Sequence, residues 1–245
     1  MSKNLMEAGQ GPANEGFESS DVVLRTTGIE KTYAGPSKSI EVLRGVDLTV
    51  MRGTVLAIVG VSGVGKSTLL NILGTLDRPD RGSVEIRQRR VDELSERELA
   101  KFRARHLGFV FQFHHLLPEF SAEENVMMPL LIAGESPISA RERARAELEA
   151  VGLEERWEHQ PSQLSGGEAQ RVAMARALVS KPELVLADEP SGNLDQGSAE
   201  TLHELIAAMA RRTGQTFVIV THNDRLARIA DRVMRLESGR ITSVR

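Results

Sequence analysis

Residues 60–67 combine glycines, a lysine and a serine at spacings that suit phosphate binding. They read Gly-Val-Ser-Gly-Val-Gly-Lys-Ser, which matches the pattern G-x-x-x-x-G-K-[ST] in full. The glycines let the backbone curl so that its N–H groups point at phosphate oxygens. Lys66 is long enough to reach the β- and γ-phosphates of a nucleotide, and Ser67 is able to ligate Mg²⁺. The predicted nucleotide contacts are Gly60, Val61, Ser62, Gly63, Val64, Gly65, Lys66, Ser67 and Thr68.

Two acidic residues follow an apolar run in the segment ELVLADEP, residues 183–190. A magnesium-bound triphosphate needs acidic groups at the end of a strand beside the phosphate loop. Asp188 is placed to hold Mg²⁺ through water. Glu189 is placed to orient or deprotonate the attacking water. The plain alternative is a turn with two solvated acids, and the nearby phosphate loop makes it the weaker one.

A second candidate anion site lies at residues 164–168, which read Leu-Ser-Gly-Gly-Glu and open a predicted helix. Ser165 and Glu168 have the spacing of a capping box, which alone would be only a local structural feature. The two glycines, Gly166 and Gly167, leave backbone N–H groups bare at a helix N-terminus, where anions bind. One chain therefore carries two helix ends that are suited to phosphate.

Three apolar runs predict the sheet that positions these residues. They cover residues 54–59, 183–187 and 216–220 and do not alternate with polar residues. Such runs are typical of strands buried on both faces of a parallel sheet. Helical patterns at 66–75, 168–180 and 195–212 separate or flank them, which indicates an α/β layer fold. Ligands of such folds bind at the carboxyl ends of the strands.

The remaining segments complete a prediction of an α/β P-loop NTPase core with two additions. The runs VVLRT and VDLTV and the segment 39–43 predict a small, mostly antiparallel N-terminal sheet. Residues 92–160 are expected to form an inserted α-helical subdomain. Three Ser-x-x-Glu patterns there have capping-box spacing, namely Ser95/Glu98, Ser121/Glu124 and Ser139/Glu142. Residues 1–20 read as a disordered tail, and 21–245 as one ATPase-type domain.

Composition excludes several other classes of protein. The 245 residues carry 31 basic and 34 acidic side chains, a net charge of −3, which does not favour a general nucleic-acid-binding role. The absence of cysteine rules out disulfides, thiolate metal sites and cysteine nucleophiles. No stretch has the roughly 20 apolar residues that a membrane span needs. We therefore expect any membrane role to come through a partner.

The segments LSGGE and ADEP together with the phosphate loop resemble the ATP-binding cassette (ABC) ATPases, over about residues 22–245. In that family two subunits pair head to tail and enclose two ATP molecules. The P-loop of one subunit then faces the LSGG signature of the other. The resemblance implies ATP and Mg²⁺ as ligands, ATP hydrolysis as the activity, and a homodimer in which Ser165, Gly166 and Gly167 contact the γ-phosphate held by the partner.

The remaining positions of the family pattern are also filled. Tyr33 matches the aromatic residue that stacks on adenine, and Gln112 matches the glutamine that senses Mg²⁺ and the attacking water. Residues 191–195 match the loop that crosses the dimer interface, with Asp195 as its nucleotide-binding member. His222 matches the histidine that contacts the γ-phosphate. The implied catalytic set is Lys66, Gln112, Glu189 and His222, and the implied Mg²⁺ ligands are Ser67, Gln112 and Asp188.

The segment after Gln112, FHHLLPEFSAEENVMMPL, closely resembles the diagnostic segment of the lipoprotein-releasing (LolD) family of ABC ATPases. There it lies where the coupling helix of the membrane partner docks, which implies partner contacts at Phe113, His114, His115 and Glu119. The resemblance implies ATP-driven release of lipoproteins from the outer leaflet of the inner membrane toward a periplasmic carrier. The chain would be a peripheral subunit at the cytoplasmic face, held by integral permease subunits of lipoprotein-releasing type.

Two alternatives remain open at this stage. One is the ATPase of a macrolide or peptide exporter, and the other is a regulatory ATPase of a cell-division complex. The HHLLPEF segment argues against both, but only through resemblance. A DNA-repair ABC ATPase is rejected, because those proteins carry a long coiled coil between P-loop and signature, whereas Lys66 and Ser165 are 99 positions apart.

Overall fold

The structure, a computed structural model, describes residues 21–35 and 39–245. The predicted disordered tail, residues 1–20, lies outside these described residues. The described chain forms two sheets and seven α-helices. The strands are β1 (Val22–Tyr33), β2 (Ile40–Met51), β3 (Val55–Val59), β4 (Arg81–Ile86), β5 (Arg89–Arg90), β6 (Leu107–Val110), β7 (Leu184–Asp188), β8 (Thr216–Thr221), β9 (Arg232–Glu237) and β10 (Arg240–Ser243). The helices are α1 (Lys66–Leu73), α2 (Glu96–His106), α3 (Ala122–Ile132), α4 (Pro137–Ala150), α5 (Gly166–Leu178), α6 (Gln196–Thr213) and α7 (Asp224–Arg228).

The three apolar runs form the centre of a six-stranded sheet, in the order β10-β9-β3-β8-β7-β6. Strands β3, β8 and β7 are parallel neighbours, and β9 and β6 extend the parallel pairing on either side. Only the hairpin partner β10 runs antiparallel within this sheet. The predicted α/β fold with a buried parallel sheet is confirmed.

The two faces of this sheet pack against different helices. Alternate residues of β3, for example Ala57 and Ile58, enter two separate hydrophobic clusters. The cluster on one face contains the apolar residues of α3, α4, α5 and α6, and the cluster on the other contains those of α1 and α2. Because successive side chains of a strand point to opposite faces, α1 and α5 lie on opposite sides of the sheet.

The N-terminal strands form a second, wholly antiparallel sheet in the order β2-β1-β4-β5, as predicted. Strands β1 and β2 are each longer than the predicted runs and span 12 residues. Gly28 and Gly45 lie within these strands and adopt positive φ values of 60° and 75°. The pairing of β1 with β2 shifts register beside both glycines, so they form bulges within continuous strands.

The predicted helical subdomain, about residues 92–160, contains α2, α3 and α4, and it also contains a strand that the sequence did not indicate. Leu107–Val110 forms β6, which pairs with β7 in the central sheet. Helix α2 therefore packs beside the sheet through Leu99 and Phe102, and the helices that follow β6 pack with α5. A strand of four residues that includes a glycine is too short to produce a clear sequence pattern.

Two of the three predicted capping boxes in this stretch are present, at Ser95/Glu98 and Ser121/Glu124. The third, at Ser139/Glu142, is wrong. Helix α4 begins earlier, with Ser136 as its N-cap, and the Ser136 hydroxyl accepts a hydrogen bond from the backbone N–H of Ser139. Pro137 fixes this start, because proline suits the first helical position. No helix in the described parts of the chain is long and apolar enough to cross a membrane.

Candidate nucleotide-binding site

The glycine-rich loop connects the end of β3 to the start of α1, at the carboxyl edge of the central sheet. Its backbone requires glycine at two positions. Gly65 has φ 106°, and a Cβ atom there would lie 2.6 Å from Val42 Cγ1. A Cβ atom on Gly60 would lie 2.5 Å from the carbonyl oxygen of Leu236. The loop is thus tightly curled, and the N-terminus of α1 directs its free N–H groups and positive dipole toward bound anions.

Lys66, the first residue of α1, points its ammonium group back into the loop. Its Nζ donates hydrogen bonds to the carbonyl oxygens of Gly60, at 2.8 Å, and Val61, at 3.2 Å. It also lies 3.8 Å from Glu189 Oε1. The side chain is buried, so its positive charge acts where few water molecules screen it. A phosphate at this position would meet a fixed cation.

Asp188 ends β7, and Glu189 follows it in a left-handed conformation with φ 44°. Such a backbone is costly for a residue with a Cβ and is found mainly at functional sites. The Glu189 N–H donates to the carbonyl of Val220, at 2.9 Å, which anchors the turn to β8. Burial raises the pKa of Asp188, although a hydrogen bond from Ser67 opposes this effect. Two groups whose oxygen atoms are able to ligate a metal ion, the Ser67 hydroxyl and the Asp188 carboxylate, therefore lie in contact beside the phosphate loop.

The Glu189 carboxylate is held by residues at the end of β8. Thr221 donates its hydroxyl hydrogen to Glu189 Oε2 at 2.9 Å, and the His222 N–H donates to the same oxygen at 3.3 Å. The His222 ring nitrogen Nδ1 lies 2.7 Å from Glu189 Oε1. An ionised carboxylate only accepts hydrogen bonds, so this contact places the ring proton on Nδ1. The structure thus brings Lys66, Asp188, Glu189 and His222 together at one edge of the sheet.

These residues suit the hydrolysis of a phosphoanhydride by water. The loop and Lys66 would provide an anion site, and Glu189 would provide an oriented carboxylate for a proton from water. The Ser67 and Asp188 oxygens are donors of the kind that Mg²⁺ prefers, and that ion commonly takes its remaining ligands from water and phosphate. The described residues contain no cluster of three or more His, Cys, Asp or Glu side chains that could hold a metal ion.

Tyr33 ends β1 with its ring 40% exposed beside α1. Its hydroxyl donates to Asp77 Oδ2 at 2.7 Å, and the Lys31 Nζ lies 5.2 Å from the ring centroid. Burial and the hydrogen bond with Asp77 raise the pKa of Tyr33, and a hydrogen bond with Thr68 of α1 only partly opposes this effect. The ring is therefore fixed next to the loop with a large part of its surface open to solvent.

Gln112 follows β6 and contacts the loop after Glu189. Its Nε2 donates to Asn193 Oδ1 at 2.9 Å, and Asn193 Nδ2 donates back to the Gln112 carbonyl at 3.3 Å. A Cβ atom on Gly192 would lie 3.1 Å from Gln112 Nε2. Gln112 is thereby linked to the acidic turn through the loop 191–195.

The second candidate anion site lies at the start of α5, where Ser165 and Glu168 do form a capping box. A Cβ atom on Gly167 would lie 2.7 Å from the Ser198 hydroxyl at the start of α6, and Gly166 is near Leu194. Asp195 is exposed and caps α6, accepting from the Ser198 N–H at 3.0 Å and from its hydroxyl at 2.6 Å. Ser165, Gly166 and Gly167 thus lie near the start of α6, which Asp195 caps, while α1 packs on the opposite face of the central sheet.

The predicted partner segment presents a partly apolar surface. Phe113 is 64% exposed, Leu117 39% and Phe120 36%. His115 and Glu119 are also exposed, whereas His114 is partly buried. Burial, with the nearby positive charge of Arg176, lowers the pKa of His114.

Sequence reasoning missed several side chains that orient the site. Thr221 holds Glu189, Asp77 holds Tyr33, and Asn193 holds Gln112. A buried histidine, His203, also lies 2.9 Å from the Ser191 hydroxyl in the loop after Glu189. Only Thr221 carried a sequence signal, since it follows a buried run directly and precedes His222. The other contacts join residues far apart in the chain.

Comparisons with known proteins agree with this geometry. The family model for ABC transporters matches residues 43–192. The chain is 51% identical to the lipoprotein-releasing system ATP-binding protein LolD of Bacteroides fragilis, over 89% of this chain and 100% of that protein. It is 52% identical to the LolD of Geobacter metallireducens, over 90% of this chain and 98% of that protein. It also resembles the solved dimeric structure of an ATP-binding cassette bound to ADP and Pi, with TM-score 0.83, 38% identity, and coverage of 91% and 99%.

The capping box at the start of α5 leads to a prediction about pH. Hydrogen bonds from the Ser165 backbone, Arg156 and the Ser165 side chain lower the pKa of Glu168 to about 2. A lowered carboxyl pKa contributes stability above the unfolded-state value, about 4.3, that is lost as pH falls toward the folded-state value. We expect Glu168→Gln to lower the melting temperature at pH 6, because glutamine keeps the cap but not the charge.

This difference in melting temperature between wild type and Glu168→Gln should shrink steadily between pH 5 and pH 3, measured by calorimetry at constant ionic strength. Glu142→Gln serves as the control, since Glu142 has the same spacing from Ser139 but forms no capping box. A difference independent of pH would contradict the lowered pKa.

Proposed function

Because the chain belongs to the ABC transporter family, among its lipoprotein-releasing (LolD) ATP-binding proteins, we propose that it hydrolyses ATP to drive lipoprotein release. The lipoproteins would leave the outer leaflet of the inner membrane toward a periplasmic carrier. The observation that carries this proposal is identity of about half the residues to LolD proteins over nearly their full length. The segment after Gln112 and the geometry of the nucleotide site support it.

ATP binding is assigned to the edge of the sheet described above. Tyr33 would stack on adenine, and the loop from Gly60 to Thr68 would hold the phosphates. Ser67, Gln112 and, through water, Asp188 would hold Mg²⁺. When bound, this ion would neutralise charge on the β- and γ-phosphates. Lys66 would exchange its carbonyl contacts for phosphate oxygens, which pair better with an ammonium group.

Hydrolysis would use Glu189 as the base or water-orienting group. The water oxygen forms a bond to the γ-phosphorus, the bond from that phosphorus to the bridging oxygen breaks, and the water proton passes to Glu189. The contacts from Thr221 and His222 already fix the carboxylate, so little reorganisation is needed. Gln112 would help to position the water, and His222 would contact the γ-phosphate.

A complete site would require a second copy of the chain. Helices α1 and α5 lie on opposite faces of the central sheet, which supports a site that one copy does not complete alone. In a head-to-tail homodimer, Ser165, Gly166 and Gly167 of one copy would contact the γ-phosphate held by the other, with Asp195 at the same interface. The similar solved cassette is itself dimeric.

The membrane partner would be an integral permease of lipoprotein-releasing type, with the chain held peripherally at the cytoplasmic face of the inner membrane. Phe113, His114, His115 and Glu119 would receive its coupling helix. The γ-phosphate closes the dimer, and its loss removes contacts to Ser165 and Gly167, so the dimer reopens. We assign residues 21–245 to one ATPase domain and the helices within 92–160 to the part that carries this movement.

Reconstitution tests this function directly. The chain is purified with its membrane partner, placed in liposomes that contain a lipid-modified protein, and given ATP and the periplasmic carrier. We expect ATP-dependent transfer of the lipoprotein to the carrier. ATP hydrolysis with no transfer, together with export of a drug or peptide, would favour the exporter alternative.

Glu189→Gln is expected to bind ATP, hydrolyse it at least about a hundredfold more slowly, and accumulate as a closed dimer. The reason is that the amide keeps the shape of the carboxylate but does not accept the proton. Turnover and size-exclusion chromatography with ATP measure the two effects. Glu183→Gln, at the opposite end of β7, is the control and should hydrolyse ATP normally. Near-normal turnover by Glu189→Gln would contradict the role of this residue.

Replacing His115 and Glu119 is expected to spare ATP binding by the isolated subunit and to weaken coupling to the permease. His115→Asn is the suitable change, because His115 has φ 46° and asparagine tolerates this conformation. The double variant His115→Asn/Glu119→Ala should reduce lipoprotein release by about tenfold. A matched pair outside the segment, His159→Asn/Glu158→Ala, should not. Unchanged release by the first pair would rule out docking at these residues.

A further inference from the structure

Three hydrogen bonds tie α5, the signature helix, to the backbone on either side of Gln112 and Phe113. Gln170 Nε2 donates to the carbonyl of Phe111 at 2.8 Å. Arg176 Nη2 donates to the carbonyl of His114 at 2.7 Å, and its Nη1 donates to the carbonyl of His115 at 2.8 Å. Side chains of a single helix, α5, therefore hydrogen-bond to the segment 111–115 at both of its ends.

The use of an arginine at this position is costly. Burial lowers the pKa of Arg176, and no carboxylate lies within ion-pair distance of it in the described residues. An apolar side chain here would avoid desolvating a charge, but it would leave the carbonyls of His114 and His115 without their donors. The planar guanidinium donates to both of these successive carbonyls at once, a geometry that lysine does not provide.

The backbone of this segment also adopts a conformation that its own residues do not favour. His115 has φ 46°, which is sparsely populated for residues other than glycine. Such a conformation persists only where the surroundings impose it. The two carbonyls that Arg176 fixes flank the His115 N–Cα bond, so this side chain sets the course of the chain into the exposed residues 113–120.

Asn125 of α3 secures the far end of the same stretch. This side chain is fully buried, accepts from the Leu117 N–H at 2.8 Å, and donates to the carbonyls of Leu117, Phe120 and Ser121. The proposed permease surface is thus held between α3 and α5. Of the two, only α5 also carries the signature residues, at its first turn.

Helix α5 physically connects the two functions. Arg176 lies ten residues after Gly166 on one helix, a distance of about 15 Å along its axis. We propose that Arg176, assisted by Gln170, is a positioning residue that makes the segment 111–117 move with the signature helix. Engagement of the α5 N-terminus with the partner's γ-phosphate then displaces the permease-docking surface in the same step. This inference rests on the function proposed above.

The test compares Arg176→Met and the milder Arg176→Lys with wild type, as isolated subunits and in the complex with the permease. In the isolated subunit, ATP affinity should stay within about twofold, while hydrogen exchange of the amides of residues 113–117 should accelerate about tenfold. In the complex, lipoprotein released per ATP hydrolysed should fall about tenfold for Arg176→Met, as expected when two hydrogen bonds from a charged donor are lost. For Arg176→Lys, the lipoprotein released per ATP hydrolysed should lie between the values of wild type and Arg176→Met.

Arg143→Met is the matched control, because Arg143 also donates to a carbonyl at the end of α5, that of Val179, but does not touch the docking segment. It should lower the melting temperature and leave release per ATP unchanged. Full coupling in both Arg176 variants, or an equal loss in Arg143→Met, would overturn the inference. A wild-type complex that hydrolyses ATP without releasing lipoprotein would instead overturn the proposed function, and the exchange measurement would still report on the link.

Discussion

The central parallel sheet keeps α1 and α5 apart, and each of these helices begins at a candidate phosphate-binding segment. Alternate side chains of β3, β7 and β8 pack against α1 on one face and against α5 on the other. A layer of buried strands therefore lies between α1, which follows the phosphate loop, and α5, which begins at the signature residues. This separation supports the proposed head-to-tail dimer, in which a second copy would supply the signature.

The same sheet also concentrates the chemistry at one edge. Because β3, β7 and β8 run parallel, the phosphate loop, the acidic turn and His222 all emerge at their carboxyl ends. The turn at Glu189 adopts a strained backbone, and contacts from the neighbouring strand stabilise it. Strain of this kind recurs at His115, next to the proposed docking surface. In both places, hydrogen bonds from another element fix a conformation that the local sequence does not favour.

The parts that local patterns determine were predictable from sequence. The buried runs predicted β3, β7 and β8, and the loop from Gly60 to Ser67 was recognisable because phosphate binding dictates its residue types. Strand β6 was not predicted, because an edge strand of four residues has too few side chains to show a hydrophobic pattern. The Ser139/Glu142 capping box failed because Pro137 moved the helix start. Contacts such as Gln112 with Asn193 and Arg176 with His114 join distant positions, and only tertiary packing creates them.

Mixing two inactive variants tests the shared site most directly. Lys66→Ala removes the phosphate-loop cation, and Ser165→Arg blocks the signature, so each alone should hydrolyse almost no ATP. A mixed dimer, however, contains one site in which both halves are intact. The account predicts that mixing the two restores a substantial fraction of wild-type ATPase activity, and that this activity falls on dilution. Activity of Ser165→Arg alone at the wild-type rate, unaffected by dilution, would contradict it.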